Sequence, residues 1–335
     1  MSIPEMVSTC AALKINTMSW QPSASLPALQ QRALLYQKIR EFFAQRQVLE
    51  VDVPVLSEHA TVDPFIESLI VSNNLPESGM LTTQYLQTSP EFFLKRLLAV
   101  YQQDIYYLGK AFRQGERGAR HNPEFTMLEW YRVGWDEHAL MDEVRQLLAL
   151  FLPNLSWQCL SYRELFQQHL LLDPHTASVA ELKACAQQHI DSHFDAEDKH
   201  SWLDLLFSHC VEPQLPPGFL SVNDYPACQV ALAQLDIDEQ GQWVAKRFEL
   251  YLNGLEIANG YRELSDAREQ ERRFKLDQQY RQKNGLPARP YDENLVNALK
   301  HGAFPECSGV ALGIDRLLMA IMQVTNISHV LSFHR

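Results

Sequence analysis

The run from Phe112 to Tyr131 limits what this chain can become, because it forces two strands together around an arginine-bearing turn. Before it, Asp104–Leu108 is β-branched and aromatic, the composition of a strand. After it, Phe125, Met127, Glu129 and Tyr131 fall on one face of a period-2 strand. Thr126, Leu128 and Trp130 fall on the other. Glu129 therefore points with two apolar side chains and a tyrosine, where an unpaired charge is costly. It calls for a partner or a cationic ligand. Arg113, Arg117 and Arg120 flank a turn containing Gly115 and Gly118. The planar fork of arginine suits a bidentate grip on phosphate oxygens. The competing reading is a surface hairpin with a charge pair.

A second hairpin counts against that reading. Asn253-Gly254, between Leu250–Leu252 and Leu255–Ala258, is a strong two-residue turn signal. It pairs Leu252 with Leu255 and Tyr251 with Glu256, so Glu249, Tyr251, Glu256 and Ala258 are expected on one side. Glu249 and Glu256 become diagonal neighbours, and two carboxylates that close repel unless a cation sits between them. Mg²⁺ is the natural candidate, since it takes one or two carboxylates with phosphate oxygens and water. Strict alternation sends Asn259 and Glu263 to the opposite face, unless a bulge or bend at Gly260 re-aims them. The competing reading is a solvated acidic face.

A third element, Cys307–Met322, opens with Ser308, Gly309, Ala311 and Gly313, a strand that permits close backbone approach. Ile314, Leu317, Leu318 and Ile321 then recur at helical spacing. Arg316 falls in the first turn, the unfavourable end of the helix dipole for a cation. Either a bound anion or Asp315 must answer it.

Composition bounds the rest. No Pro/Gly/Ser-rich linker divides the 335 residues, which allow one large domain or two small ones. At 46% hydrophobic the chain can bury a substantial core. No run approaches the roughly 18 apolar residues of a membrane span. Residues 1–18 read as an N-terminal extension that fits no element, and they lack the features of a signal peptide. Six cysteines without Cys-x-x-Cys spacing read as reduced, cytoplasmic thiols. A net charge of −12 argues against a broad polyanion-binding surface. The region from Leu160 to Tyr225 reads as helical. Its His189 and His193, four apart, lack the third ligand a metal site needs. Asp266 to about Lys283 reads as a helix with Asp266 and Glu269 as a capping-box variant and Gly285 as a stop. Neither phosphate-loop nor dinucleotide-binding glycine motifs occur.

Taken together, these segments resemble class II aminoacyl-tRNA synthetases, most specifically the lysine type. Phe112-Arg113 through Arg120-His-Asn-Pro-Glu-Phe-Thr-Met-Leu-Glu129 resembles motif 2, and Gly313-Ile-Asp-Arg316 resembles motif 3. The amphipathic stretch Leu29–Phe43 followed by Val51-Asp-Val-Pro54 resembles motif 1, a helix and strand with a dimer-interface proline. Thr88-Ser-Pro-Glu91 resembles the amino-acid-binding strand. The resemblance runs from about Ser19 onward. About 25 residues precede the motif 1 helix, too few for the anticodon-binding barrel of lysyl-tRNA synthetases. The chain therefore resembles the short paralogue family, the elongation factor P (R)-β-lysine ligases.

The resemblance implies an α+β catalytic domain over residues 19–335, a mainly antiparallel sheet flanked by helices, with a mainly helical insertion at about 160–225. It implies a cytoplasmic homodimer that uses ATP and Mg²⁺ to make a β-lysyl adenylate. The acceptor is a lysine of elongation factor P, with neither tRNA nor membrane involved. Delivery by a lysine-type adenylate-forming enzyme to another carrier, or to tRNA, is the alternative.

Residue roles carry over position by position. Glu91 would meet the amino group near the substrate carboxylate, with Ser89 and Pro90 shaping that end. Glu129, Tyr131 and Glu263 would hold the distal ammonium, and Asn259 would orient the carboxylate. Arg113 and Arg316 would grip the triphosphate, Phe125 would stack on adenine, and Glu249 and Glu256 would hold Mg²⁺. Gly115, Glu116, Asn122, Ile257 and Gly313 would border the nucleotide. Two departures stand out. Arg113-Gln114-Gly115-Glu116 replaces the Arg-Asn-Glu common in the family, placing Glu116 one residue late. Ala311 stands where lysyl-tRNA synthetases commonly have glycine, a methyl that with Ser89 favours a shifted amino group by on the order of 1 kcal/mol.

Overall fold

The computed structural model describes residues 20–74, 81–191 and 194–334. The extension read at residues 1–18 and His193 lie outside the described residues. Helix α1 (Leu26–Gln45) opens on the Ser25 hydroxyl, which accepts from the Ala28 N–H, and carries Pro27 in its first turn. Leu35, Ile39, Phe42 and Phe43 recur at three- and four-residue spacing and are all buried. Two short strands follow, β1 (Leu49–Glu50) and β2 (Leu56–Ser57). The strand expected at Val51–Pro54 is thus shorter and earlier. Val51 N–H still donates to the Tyr106 carbonyl at 2.9 Å, and the pairing ends before Pro54, which has no N–H to give.

Strands β3 (Ile70–Asn74) and β4 (Leu81–Leu86) lead to α2 (Glu91–Tyr101). Thr88–Pro90 is therefore the turn between β4 and α2, and Glu91 begins a helix rather than sitting in a strand. The hairpin of β5 (Ile105–Phe112) and β6 (Glu124–Val133) follows, then α3 (Glu137–Ala149).

The region read as helical begins and ends in strands. β7 (Trp157–Ser161) and β8 (Phe219–Pro226) pair in parallel, with α4 (Tyr162–Leu170), α5 (Val179–His189) and α6 (Lys199–Leu206) between them. The apolar run Phe219-Leu220-Ser-Val222 is a buried sheet strand, a pattern that periodicity alone does not separate from a helix. The remaining elements are β9 (Leu235–Ile237), β10 (Trp243–Leu252), β11 (Leu255–Arg262), α7 (Ala267–Lys283), α8 (Glu293–His301), β12 (Cys307–Gly313) and α9 (Ile314–Ile321). Asp266 caps α7 as expected, accepting from Arg268 and Glu269 N–H. The Glu269 carboxylate turns instead to Arg272 and Arg273.

The fold is α+β, built on a nine-stranded sheet in the order β1-β5-β6-β12-β11-β10-β8-β7, with β9 added to β10. Only β1/β5 and β7/β8 pair in parallel among the described strands. One face packs on α1, α3 and α9 through Leu35, Phe43, Leu128, Trp130, Val144 and Leu317. The other is covered at its β8 end by α4–α6, whose core includes Tyr162, Phe166 and Trp202. Helices α7 and α8 pack together through Phe274, Leu295 and Leu299.

The β10–β11 turn forms as expected at Asn253 (φ 50°) and Gly254 (φ 73°). Leu252 pairs with Leu255 and Tyr251 with Glu256. The register then shifts, so that Leu250 faces Ala258 and Glu249 faces Asn259. The bulge is at Ile257, not Gly260. That extra residue sends Ala258 into the core with Leu250 and Phe248, correcting the expected placement of Ala258 beside Glu256. It also brings Asn259, Tyr261 and Glu263 onto the face of Glu249.

Asp315 ties this assembly together. Its carboxylate pairs with Arg32 of α1 and accepts from the Thr126 N–H of β6 at 2.7 Å. Both partners are largely buried. Asp315→Ala is expected to cost about 3 kcal/mol, the penalty for leaving a buried charge unpaired, read as a lower urea midpoint with an unchanged denaturant slope.

Candidate functional site

The open face of the sheet forms the floor of a cavity of about 980 Å³. Its side chains line up in rows across the strands. Glu129 faces Ala311, Ala311 faces Asn259, and Asn259 faces Glu249. One row over, Tyr131 faces Gly309, Gly309 faces Tyr261, and Tyr261 faces Arg247. Period-2 alternation puts each row on one face, and the Ile257 bulge keeps β11 in step with its neighbours.

One end of the cavity is acidic. Glu91 from α2, Glu129 from β6 and Glu263 after β11 converge there, all buried. Tyr131 donates its hydroxyl to Glu129 Oε1 at 2.7 Å, while Glu129 Oε2 is buried without a hydrogen-bond partner among the described residues. Burial first, then the Glu91 charge, pushes the Glu129 carboxyl well above its ordinary value. Burial raises Glu263 to about 8 against the pull of Lys95.

Lys95 was not anticipated from the sequence. Its ammonium is fully buried, 2.7 Å from Glu91 Oε1 and 2.6 Å from Glu263 Oε2. The signal was present as Glu91-x-x-x-Lys95, the i,i+4 spacing that joins two side chains on a helix. Tyr261 was missed as well, because its direction depends on where the bulge falls.

The other end is cationic. Arg113 donates to the Thr88 carbonyl at 3.3 Å, pairs with Glu116 at 3.4 Å, and lies over the Phe125 ring at 5.2 Å. Glu116, one residue late in the motif, thus reaches Arg113 across the Gly115 turn (φ 84°). Arg316 donates to the Glu256 carbonyl at 2.6 Å and pairs with the Glu256 carboxylate at 3.3 Å. It also donates to His121 Nε2 at 2.6 Å. Burial, then Arg316, lowers the His121 pKa, so the neutral ring accepts. Asp315, committed to Arg32 and Thr126, does not neutralise Arg316. That leaves the cation aimed into the cavity at a helix N-terminus.

The remaining residues singled out in the sequence are distributed as follows. Ser89 caps the first turn of α2, accepting from the Glu91 N–H at 3.3 Å, and Pro90 precedes that helix as its cap residue. Asn122 donates to the Glu124 carbonyl at 2.6 Å on the cavity rim. The Ile257 side chain belongs to the core, so only its backbone is available to a ligand. Glu249 pairs with Arg247 and accepts from the Tyr251 hydroxyl at 2.6 Å. His189 is exposed at the end of α5. Arg117 is exposed, while Arg120 lines the cavity.

Among the described residues no three His, Cys, Asp or Glu side chains gather into a metal cage. Glu249 and Glu256 form a two-carboxylate set, diagonal across the hairpin. Burial, then the Glu249 charge, raises the Glu256 pKa. A divalent cation completed by phosphate oxygens and water fits that pair.

The crowding differs sharply between the two ends. A Cβ on Gly309 would stand 2.4 Å from a Tyr131 ring carbon and 2.5 Å from Glu263 Oε1. On Gly313 the nearest atom would be 3.8 Å away. Gly309→Ala should therefore cost about 1–3 kcal/mol by overpacking. Gly313→Ala should cost under about 1 kcal/mol, with urea unfolding separating the two.

Comparison with known proteins places this geometry. The family described as tRNA synthetases class II (D, K and N) matches residues 11–335. An elongation factor P–(R)-β-lysine ligase of Yersinia enterocolitica is 45% identical over 323 residues, covering 95% of this chain and 98% of the relative. That of Pseudoalteromonas translucida is 47% identical over 320 residues, covering 94% and 97%. One from Haemophilus influenzae is 45% identical over 315 residues, again covering 94% and 97%. The chain belongs to the class II tRNA synthetases of the D, K and N group and, within them, to the elongation factor P–(R)-β-lysine ligases.

Proposed function

We propose that this protein is an ATP-dependent ligase that activates (R)-β-lysine as an adenylate and transfers it to a lysine of elongation factor P. The observation that carries the reading is the two-ended cavity, with Glu91, Glu129 and Glu263 at one end and Arg113 and Arg316 at the other. The names of the relatives point to the same substrate and acceptor.

In the first step the substrate carboxylate attacks the α-phosphate of ATP. A new oxygen–phosphorus bond forms and the bond to the pyrophosphate oxygen breaks. In the second, an acceptor amine attacks the acyl carbonyl and AMP leaves. Neither step needs a protein nucleophile. Catalysis is positioning with stabilisation of developing phosphate charge by Arg113 and Arg316.

Glu129, Tyr131 and Glu263 are assigned to the distal ammonium, because two carboxylates and a phenol satisfy its three donors. Glu91, beside Ser89 and Pro90, is assigned to the other amine, Asn259 to the carboxylate, and Phe125 to the adenine. Glu116, Asn122, Gly313 and the backbone at Gly115 and Ile257 border the nucleotide. Ala311, between Glu129 and Asn259 on the floor, is assigned to the choice of β- over α-lysine. Glu249 and Glu256 would hold Mg²⁺, which when bound supplies charge neutralisation to the phosphates. The enzyme is proposed to act in the cytoplasm as a homodimer without tRNA. Among the described residues no helix is long and apolar enough to cross a membrane.

Incubation with elongation factor P, Mg-ATP and (R)-β-lysine is expected to add one lysyl mass to the acceptor, read by intact mass spectrometry. No increase on a competent acceptor would favour another carrier. Glu256→Gln should abolish pyrophosphate exchange while the protein still folds. Glu263→Gln should mainly raise the amino-acid KM, and a change confined to the ATP KM would count against its assignment.

A further inference from the structure

The reaction as assigned leaves one buried charge, behind the carboxylates that line the cavity, without a role. Lys95 lies one helical turn beyond Glu91, has no solvent exposure, and reaches across from α2 to Glu263, the residue that follows β11. It meets Glu91 at 2.7 Å and Glu263 at 2.6 Å, and its ammonium lies 5.8 Å from the Tyr261 ring centre. Around this cluster stand Glu129 and Tyr131 on β6, Tyr261 on β11 and Cys307 on β12.

Three buried carboxylates face this one resident ammonium. If all three are ionised, the cluster carries two uncompensated negative charges, the complement of a ligand with two ammonium groups. The two carboxylates that Lys95 joins are the ones assigned to different amines of the substrate.

We propose that Lys95 is the positioning residue of a diammonium pocket: its ammonium clamps Glu91 to Glu263 and fixes their separation so that both can receive the amines of a diamino acid. The inference rests on the lysine-type reading of the activity and adds the residue that orders its amino-acid site. The logic is electrostatic. Buried carboxylates that face one another take up protons, and a protonated carboxyl loses acceptor capacity for an ammonium. A fixed cation between two of them opposes that uptake without filling the room of the ligand. Burial already raises Glu263 despite Lys95, so its removal drives the carboxyl further toward the neutral form.

Lys95→Met tests this by pyrophosphate exchange with (R)-β-lysine and with α-lysine, from mildly acidic to mildly alkaline pH. The amino-acid KM is expected to rise about tenfold or more near neutrality, with the ATP KM within about twofold of wild type. The KM–pH curve should move up by about one unit, because the freed Glu263 carboxyl ionises only at higher pH. A second comparison covers poor folding of the single variant. In a Glu263→Gln background, Lys95→Met should add less than about threefold, since one of the two clamped charges is already gone.

An unmoved KM–pH curve with only a lowered thermal midpoint would make Lys95 a structural ion pair and overturn the proposal. Full additivity in the double variant would overturn it too. Wild-type protein inert toward both lysine isomers would instead remove the activity reading, and this inference with it.

Discussion

The direction of every side chain on the cavity floor depends on strand register, and the register of β11 turns on one extra residue. Without the bulge at Ile257, Asn259, Tyr261 and Glu263 would face α1, α3 and α9, and Ala258 would take their place over the cavity. A one-residue slip exchanges the two faces of a strand completely. The bulge lies between Glu256, on the turn side, and Asn259, across from Glu249. It therefore lets one short hairpin present side chains for two tasks on the same face. The adjacent strand β12 contributes the opposite property, with Gly309, Ala311 and Gly313 leaving the floor low where larger side chains would fill it.

Much of this was legible because β6 alternates without interruption. Phe125, Met127, Glu129 and Tyr131 were placed on one face from spacing alone, and the register of β5, β6 and β12 follows that alternation. Asn253-Gly254 located its turn because few residue pairs accept two positive φ values. The bulge was harder, because glycine marks a plausible bend at Gly260 while Ile257 carries no such mark. The strand β8 was hidden for a different reason, since a short apolar run suits a buried strand and a buried helix equally. The resemblance to class II synthetases located the charged residues of the cavity, yet it assigned nothing to Lys95. A cation inside an anionic cluster is found only when the i,i+4 partner of Glu91 is considered together with Glu263, 168 positions away from Lys95 in sequence.

The charge of the whole chain, −12, conceals a divided interior. Carboxylates gather at one end of the cavity and guanidinium groups at the other, a pattern suited to a substrate with amines at one end joined to phosphates at the other. Asp315 helps maintain that division from the cavity wall. By engaging Arg32 and the Thr126 amide it leaves Arg316, its neighbour in the same helical turn, uncompensated by the helix itself. The core contact and the ligand-facing charge are thus consecutive residues with opposite duties.

The protonation of Lys95 has a chemical consequence of its own. Burial alone would strip a lysine of its proton, but Glu263 and Glu91 more than offset burial and hold the pKa of Lys95 above that of the free side chain. An amine attacks an acyl group only through its lone pair, and a protonated amine has none to offer. An enzyme that presents activated acyl groups to a foreign lysine must keep its own lysine from reacting first. The same two carboxylates that hold Lys95 in place also keep it protonated and chemically silent.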